Sequence, residues 1–200
     1  TSTLTLTDWY GPLVNRLRPD YYNRMSQTTA TGLMYGASAS IVPGVSRITT
    51  AVDVQPAAMP STTWEAWVKP TQVGGVFMSN DDGFWDRTIG MSGDGHLFAF
   101  TGAREAAGPL MTLNVWQHVA VVYTPTSIKL YLNGAETVLP DTPVGGGTVN
   151  RLVLGSFPDG NIGMRGLLDE VAVFSSALTP QQIAAHYQAG KGLLALPNGY

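Results

Sequence analysis

The chain has 200 residues, a formal net charge of −3, and only 12% charged residues. It contains no cysteine, which excludes disulfides, thiolate metal sites and cysteine nucleophiles. Neither a basic patch for nucleic acid nor a polybasic membrane-binding segment is present, and no apolar window is long enough for membrane insertion. The length suits one all-β domain, so we expect residues 1–200 to form a single domain.

The N-terminal region predicts one strand and one short helix. Thr3–Thr7 alternates Thr and Leu, which indicates a strand with one apolar face. Gly11–Arg18 is a candidate helix between a cap at Asp8 and a stop at Pro19. The first residues lack the positive and apolar regions of a signal peptide, so no signal peptide is expected in this chain.

The central region predicts a series of strands joined by turns. In the segment Thr62–Lys69, Trp64, Ala66 and Val68 lie on one face and Trp67 lies on the other. Asp94-Gly95 and Asn133-Gly134 are typical of hairpin turns. The predicted strands are Arg47–Val54, Thr62–Lys69, Gly75–Ser79, Thr88–Met91, His96–Thr101, Trp116–Thr124, Ile128–Asn133, Arg151–Gly155 and Leu167–Phe174. Short strands at this spacing indicate a sandwich or barrel.

A helix is predicted near the C-terminus. Thr179 caps it, Pro180 takes the first helical position, and Gln182 completes a capping box. Gly190 is expected to end it. Its apolar stripe comprises Ile183, Ala184 and Tyr187.

Four segments, in order, resemble the signature of laminin-G-like, concanavalin-A-like domains of the bacterial or phage-borne type. They cover about residues 47–190 and read T-W-E-A-W-V-K-P (63–70), W-Q-H-V-A-V-V-Y (116–123), I-K-L-Y-L-N-G (128–134) and G-L-L-D-E-V-A-V-F followed by A-L-T-P, Ile183–Tyr187 and Gly190 (166–190). Pro19–Met25 is similar to the opening P-x-x-Y-W-R-L of such domains, with Asn23 in place of the Trp. The Asp-Ser-x-Gly-Asn-Gly stretch that usually follows is absent.

The resemblance implies an all-β, two-sheet antiparallel jelly-roll sandwich with a curved face and one short C-terminal helix. Members are mostly lectin-like or adhesion modules, and many bind calcium at the rim. The expected function is therefore non-catalytic recognition of a glycan or another surface ligand, at a cell or virion surface.

Paired carboxylates are the signature of a glycosidase, and the spacing here does not supply them. A retaining enzyme needs two carboxylates about 5 Å apart. Asp169 and Glu170 are neighbours and point to opposite faces of a strand, and Glu65 stands alone. Alternation places Asp169 on the face of Leu167, Val171 and Val173, where it bonds to backbone or, alternatively, binds calcium. We therefore predict that the chain is not an enzyme.

The segment 80–87 is the strongest candidate for recognition, because it combines three aspartates, two aromatic residues and an arginine. The predicted ligand-binding residues are Asp81, Asp82, Trp85, Arg87 and His96. The predicted calcium ligands are Asp81, Asp82 and Asp169. The alternative is an ordinary polar loop whose aromatic residues fold onto the core.

Other residues are secondary candidates. The turns at 150–151 and 158–161 are expected at the same rim as the segment 80–87. His118 is interpreted as a packing residue and His186 as a surface residue of the terminal helix.

Two further functions stay open. The chain is alternatively a structural or display protein of a phage tail or capsid surface, working as a homo-oligomer, with Leu193–Tyr200 packed on a neighbour or on its own domain. The least favoured function is a polysaccharide-cleaving enzyme. The expected location is extracellular or on a virion surface.

Overall fold

The computed structural model describes residues 21–23, 38–81, 87–101, 105–138 and 149–194. The predicted strand Thr3–Thr7 and the predicted helix Gly11–Arg18 lie outside the described residues. No helix within the described part of the chain is long and apolar enough to cross a membrane.

The described residues form two antiparallel sheets and one helix, which confirms the predicted all-β sandwich with a short C-terminal helix. The elements are β1 (Tyr21–Asn23), β2 (Ala39–Ile41), β3 (Ile48–Thr49), β4 (Thr62–Pro70), β5 (Gly75–Ser79), β6 (Arg87–Met91), β7 (His96–Thr101), β8 (Glu105–Leu110), β9 (Gln117–Tyr123), β10 (Ile128–Leu132), β11 (Ala135–Val138), β12 (Val153–Leu154), β13 (Gly166–Phe174) and α1 (Pro180–Leu194). The seven-stranded sheet has the order β1-β13-β4-β9-β10-β11, with β2 also on β13. The six-stranded sheet has the order β3-β12-β5-β6-β7-β8.

Strict alternation in β4 and β9 builds two buried layers on opposite faces of the seven-stranded sheet. Trp64, Ala66 and Val68 face the six-stranded sheet, as predicted, and join the inter-sheet core. Trp67 faces the other way, into a second cluster beneath α1. All seven residues of β9 are buried, which confirms the prediction that this apolar run is covered on both sides.

The helix α1 begins as predicted but ends later. The Gln182 amide donates to the Thr179 hydroxyl at 3.3 Å, and the Thr179 amide donates to the Gln182 side-chain oxygen at 2.8 Å, which together form the capping box. The prediction that Gly190 ends the helix is wrong, because α1 continues to Leu194. Gly190 is needed for packing instead: a Cβ at this position would lie 2.5 Å from the Trp67 ring.

A bulge in β13 changes the expected faces of that strand. Asp169 pairs with Trp67 and Ala172 pairs with Glu65, so Glu170 and Val171 together oppose one residue of β4. Glu170 consequently has a positive φ of 49°. The prediction that Leu167 shares a face with Val171 is wrong: Leu167 packs under the helix, whereas Val171 lies in the inter-sheet core.

Strand β8 was not predicted. Its sequence, Glu-Ala-Ala-Gly-Pro-Leu, has few β-branched or aromatic residues. It nevertheless pairs with β7 as the edge strand of its sheet, a position where Pro109 is tolerated because only one side is paired.

The loops gather at two opposite ends of the six-stranded sheet. At one end, Ser79 pairs with Thr88 beside Asp81; we call this the Asp81 end. At the other, Gly75 pairs with Met91 and the Ser92–Gly95 hairpin leads into His96; we call this the His96 end. Strand geometry puts these ends about 13 Å apart along β6.

Candidate functional site

Arg87, a predicted ligand-binding residue, lies inside the sandwich. Its side chain is 0% exposed, and its guanidinium donates to the backbone oxygens of Val54 and Met59 at 3.1 and 2.8 Å. The guanidinium carbon also lies 5.1 Å from the centre of the Tyr123 ring. The geometry therefore assigns Arg87 to holding the loop 54–60 against the core.

Asp81 and His96 occupy opposite ends of the six-stranded sheet. Asp81 is 8% exposed, and its backbone amide donates to the Ser79 hydroxyl at 2.9 Å. His96 is half exposed at the far end, with its Nδ1 3.3 Å from an Asp94 carboxylate oxygen. The predicted residues Asp82 and Trp85 lie outside the described residues. Among the described members of the predicted ligand set, His96 is thus separated from Asp81 and Arg87.

The two secondary turns are also divided between the ends. The Asn80 side chain donates to the Val149 carbonyl at 3.0 Å, which places the turn 150–151 at the Asp81 end. The Val76 amide donates to the Ile162 carbonyl at 2.9 Å, which places the turn 158–161 at the His96 end. The prediction of one shared rim is therefore wrong for the second turn.

Asp81 and Asp169, two of the three predicted calcium ligands, belong to different sheets. Asp81 follows β5 of the six-stranded sheet, whereas Asp169 lies in β13 of the other sheet and accepts the Glu170 amide at 2.8 Å. Among the described residues, no group of three acidic or histidine side chains is placed to hold a metal ion. Calcium binding by these aspartates stays a prediction that depends on Asp82.

A row of aromatic side chains lies on the outer face of the six-stranded sheet. In β7, Leu97 and Ala99 face the core, so His96, Phe98 and Phe100 face outward and are half buried. Alternate residues of a strand are about 6.6 Å apart, so the three rings form a line along the strand. We call these three residues the aromatic row.

Neighbouring strands shape the surroundings of the aromatic row. Gly90 of β6 lies under Phe98, because a Cβ there would be 2.8 Å from the ring. On the other side, Phe100 pairs with the exposed Glu105 of β8. Hydrogen bonding from Ser92, together with His96, lowers the pKa of the fully exposed Asp94 at the end of the row. The row therefore offers aromatic ring faces flanked by the carboxyl groups of Asp94 and Glu105.

A buried acid–histidine cluster lies on the opposite side of the molecule, beneath α1. Its members are Glu65 of β4, His118 of β9 and His186 of α1, and none is more than 1% exposed. His186 Nδ1 lies 2.8 Å from Glu65 Oε1, and His118 Nε2 lies 3.6 Å from Glu65 Oε2. The prediction that His186 is a surface residue is wrong; His118 does pack in the interior.

The carboxyl group of Glu65 is ionised in this cluster. Burial raises the pKa of Glu65, but the neighbouring His118 and His186 imidazoles outweigh that effect and lower the pKa to about 2. Because all three side chains are enclosed by the sheet and α1, they are placed to join the helix to the sheet rather than to meet a ligand.

The sequence periodicity of each element predicts part of this cluster, because it indicates which side of the helix or strand each residue occupies. His186 is three residues after Ile183 and four before Gly190, so it lies on the buried side of the helix. Alternation also puts Glu65 on the face of Trp67, and His118 on the face of Ala120 and Val122. Glu65, His118 and His186 come together only because β4 pairs with β9 and α1 packs across both strands.

Comparison with known proteins supports the fold independently. The family model for the concanavalin A-like lectin/glucanases superfamily, Laminin_G_3, matches residues 46–184. No match was found among curated protein sequences.

Several solved structures share the architecture at low sequence identity. Domain 4 of AbnA, a GH43 extracellular arabinanase from Geobacillus stearothermophilus, in complex with arabinotriose, is 21% identical, with a TM-score of 0.56 over 84% of this chain and 87% of that one. The receptor binding domain of botulinum neurotoxin C/D mosaic serotype is 13% identical, with a TM-score of 0.59 over 83% and 44%. A heptameric SAP-like pentraxin from Limulus polyphemus is 17% identical, with a TM-score of 0.52 over 84% and 81%.

These structural likenesses extend over most of the chain and show the fold alone. The family match covers well over half of the sequence and includes the first three segments that carried the resemblance and most of the fourth. The chain belongs to the Laminin_G_3 family of the concanavalin A-like lectin/glucanases superfamily.

Proposed function

We propose that the protein is a non-catalytic carbohydrate-recognition module that binds its ligand along the aromatic row. The observation that carries the proposal is the outward, half-buried line of His96, Phe98 and Phe100 on one strand of the six-stranded sheet. Rings held by a rigid sheet offer flat apolar surfaces to the C–H faces of sugars at little entropic cost. Flanking Asp94 and Glu105 supply hydrogen-bond acceptors for hydroxyl groups.

The comparisons support the ligand class. The arabinanase domain with arabinotriose has nearly the same extent as this chain, and the family includes lectins. Arabino-oligosaccharides are therefore the first neutral ligands to test. The wider proposal places the module outside the cell or on a virion surface.

Three buried acidic residues of β4 and β13 support a binding role rather than catalysis. Glu65, Asp169 and Glu170 are 0%, 2% and 3% exposed, so none of these three carboxylates is open to a sugar chain. Hydrolysis by a glycosidase needs two carboxylates that both reach the scissile bond.

Isothermal titration with arabinotriose and a panel of neutral oligosaccharides tests the proposal, with and without calcium. We expect Phe98→Ala and Phe100→Ala each to weaken binding about tenfold, since a sugar ring loses its stacking surface. Phe157→Ala is the matched control, because Phe157 is also half buried but lies in the turn 157–161. Equal affinity in all three variants, or no binding across the panel, would contradict the proposal.

A second candidate function is a display component that works as a homo-oligomer. Leu110 and Val115 are 63% and 49% exposed at the His96 end, and the pentraxin with this architecture is heptameric. Light scattering at increasing concentration tests this candidate, and a strict monomer at every concentration argues against it.

A further inference from the structure

Three loops at the His96 end enclose a pair of adjoining grooves. The loops are 43–47, 72–75 and 156–165, and the grooves have volumes of about 480 and 530 Å³ and share Gly44 and Gly160. Volumes of this size suit a ligand of a few sugar units. We call the pair the arginine groove, because Arg47 lines one part and Arg165 lines the other.

The walls of the arginine groove are fixed by hydrogen bonds. In the first loop, the Ser46 hydroxyl accepts the Val42 amide at 2.7 Å, and the Ser46 amide donates to the Val42 carbonyl at 3.0 Å. In the third loop, the Gly160 amide donates to the Phe157 carbonyl at 2.9 Å, and the Asn161 amide donates to Asp159 at 2.8 Å. The site is therefore formed before any ligand arrives, which lowers the entropic cost of binding.

Ile162 adds a sign of local strain at the same place. It is β-branched, has a positive φ of 48°, and its side chain is 64% exposed. A β-branched residue in the left-handed region is strained, and such strain tends to accompany binding sites. Its carbonyl is held by the Val76 amide of β5, so the exposed apolar side chain stands at the groove in a set position.

The charged residues that line the arginine groove favour a negatively charged ligand. Arg47 and Arg165 are exposed, and within the described ranges neither forms an ion pair. The guanidinium of Arg47 lies across Gly160, where a Cβ would be 2.3 Å from Nη1. The nearby carboxylate, Asp159, uses both oxygens to accept hydrogen bonds from Asn161. Two unpaired guanidinium groups thus face a groove that also presents the amides of Gln72 and Asn161.

We infer that the arginine groove binds the carboxylate groups of an acidic glycan, a chain that contains uronic acid units. Arginine matches a carboxylate with two parallel hydrogen bonds, the side-chain amides suit sugar hydroxyls, and Val45 and Ile162 suit the apolar faces of the rings. This inference rests on the proposed carbohydrate-binding function and names the ligand class that the protein selects. Neutral sugars would use the aromatic row, and acidic sugars would also use the groove.

Titration with a trigalacturonate and with neutral arabinotriose, each at low and high salt, tests the inference. We expect the double variant Arg47→Gln/Arg165→Gln to weaken trigalacturonate binding about 30-fold or more, since two charge-assisted contacts are lost. Arabinotriose affinity should not change. Arg151→Gln is the matched control, because Arg151 is exposed but lies at the Asp81 end.

The outcomes separate the inference from the proposed function. If arabinotriose binds through Phe98 and Phe100 but trigalacturonate binds no better, or binds equally to the double variant, the inference fails alone. If neither trigalacturonate nor any neutral oligosaccharide of the panel binds, both fail. A poly-glutamate peptide serves as the third probe: tight binding that is lost in the double variant, without sugar binding, would identify an acidic protein partner and overturn the inference. Unchanged thermal midpoints of the variants show that the fold is intact.

Discussion

The two buried layers on either side of the seven-stranded sheet both contain a charge, but they hold it in different ways. In the inter-sheet core, the Arg87 guanidinium donates to backbone carbonyls of the loop 54–60 and lies over Tyr123. In the layer under α1, the Glu65 carboxylate is shared between His118 of the sheet and His186 of the helix. The Arg87 guanidinium cannot lose its proton in a protein, whereas the Glu65 carboxylate can gain one.

The difference separates two kinds of stability in one small fold. The sandwich is held together by a core whose charge is fixed at any pH at which the chain folds. The helix is attached through the carboxyl group of Glu65, whose charge depends on pH. The attachment of α1 is therefore the part of the molecule that we expect to respond to acid, and the following predictions test this contrast.

The largest effect is expected for Arg87→Met. The variant leaves the carbonyl groups of Val54, Met59 and Pro60 without their buried donor, which costs about 4 kcal/mol of unfolding free energy. Urea denaturation at pH 7 and pH 5 should give the same loss, because the guanidinium stays charged throughout. Arg47→Met, on the surface, is the control and should change stability by less than about 0.5 kcal/mol. If the loss of unfolding free energy differed between pH 7 and pH 5, the inter-sheet core would also depend on pH, and the contrast between the two layers would not hold.

Glu65→Gln should have the next largest effect and a different pH dependence. The folded pKa of Glu65 is lowered from 4.5 to about 2, so its ionised form stabilises the fold fully above pH 4.5. That contribution, about 3 kcal/mol, is lost as the pH falls from 4.5 towards 2. The variant should therefore be less stable than the parent at pH 7, and the difference should shrink towards zero near pH 2.

Denaturation curves collected from pH 7 to pH 2 measure this convergence. A constant difference in unfolding free energy between the parent and Glu65→Gln over the whole pH range would mean that the carboxylate contributes through its shape and not through its charge. Since Arg87→Met is expected to keep a constant gap, the two variants serve as controls for each other.

The parts of this fold that were predicted from sequence depend on local periodicity. Alternation in β4 placed Trp64 and Trp67 on opposite faces, and the Thr179–Gln182 pair identified the start of α1. These signals lie within a few residues of one another, and burial of one face preserves them in the folded chain. The resemblance then added the arrangement in two antiparallel sheets with a C-terminal helix.

The parts that were missed depend on how distant segments meet. The bulge at Glu170 reverses which alternate residues of β13 face the inter-sheet core, and no residue type in that segment predicts a bulge. The end of α1 was predicted too early because a glycine commonly ends a helix. Gly190 is a glycine for another reason: the Trp67 ring leaves no room for a side chain there. The grouping of His186 with Glu65, and the separation of His96 from Asp81, likewise follow from packing and register rather than from sequence neighbours.

Gly190→Ala gives a smaller effect that tests the packing under the helix. By helix propensity alone, the change would stabilise α1 by about 1 kcal/mol. The added Cβ would instead lie 2.5 Å from the Trp67 ring, so we expect a net loss of about 1–2 kcal/mol. In a Trp67→Ala background the contact is absent, and the same change should become stabilising. Denaturation of the four proteins gives the coupling energy, and additive effects would show that Trp67 does not determine the glycine.

The smallest effect, about 1 kcal/mol, is expected for Thr179→Ala, which removes the cap of α1. Thr126→Ala is the matched control, because Thr126 is an exposed turn residue whose hydroxyl forms no hydrogen bond within the described part of the chain. Since the two layers are held independently, native-state hydrogen exchange should speed up in the amides of α1 and stay unchanged in β5 and β6. Equal acceleration in those strands would mean that the helix and the sandwich open as one unit. The layer under α1 and the inter-sheet core would then form a single core.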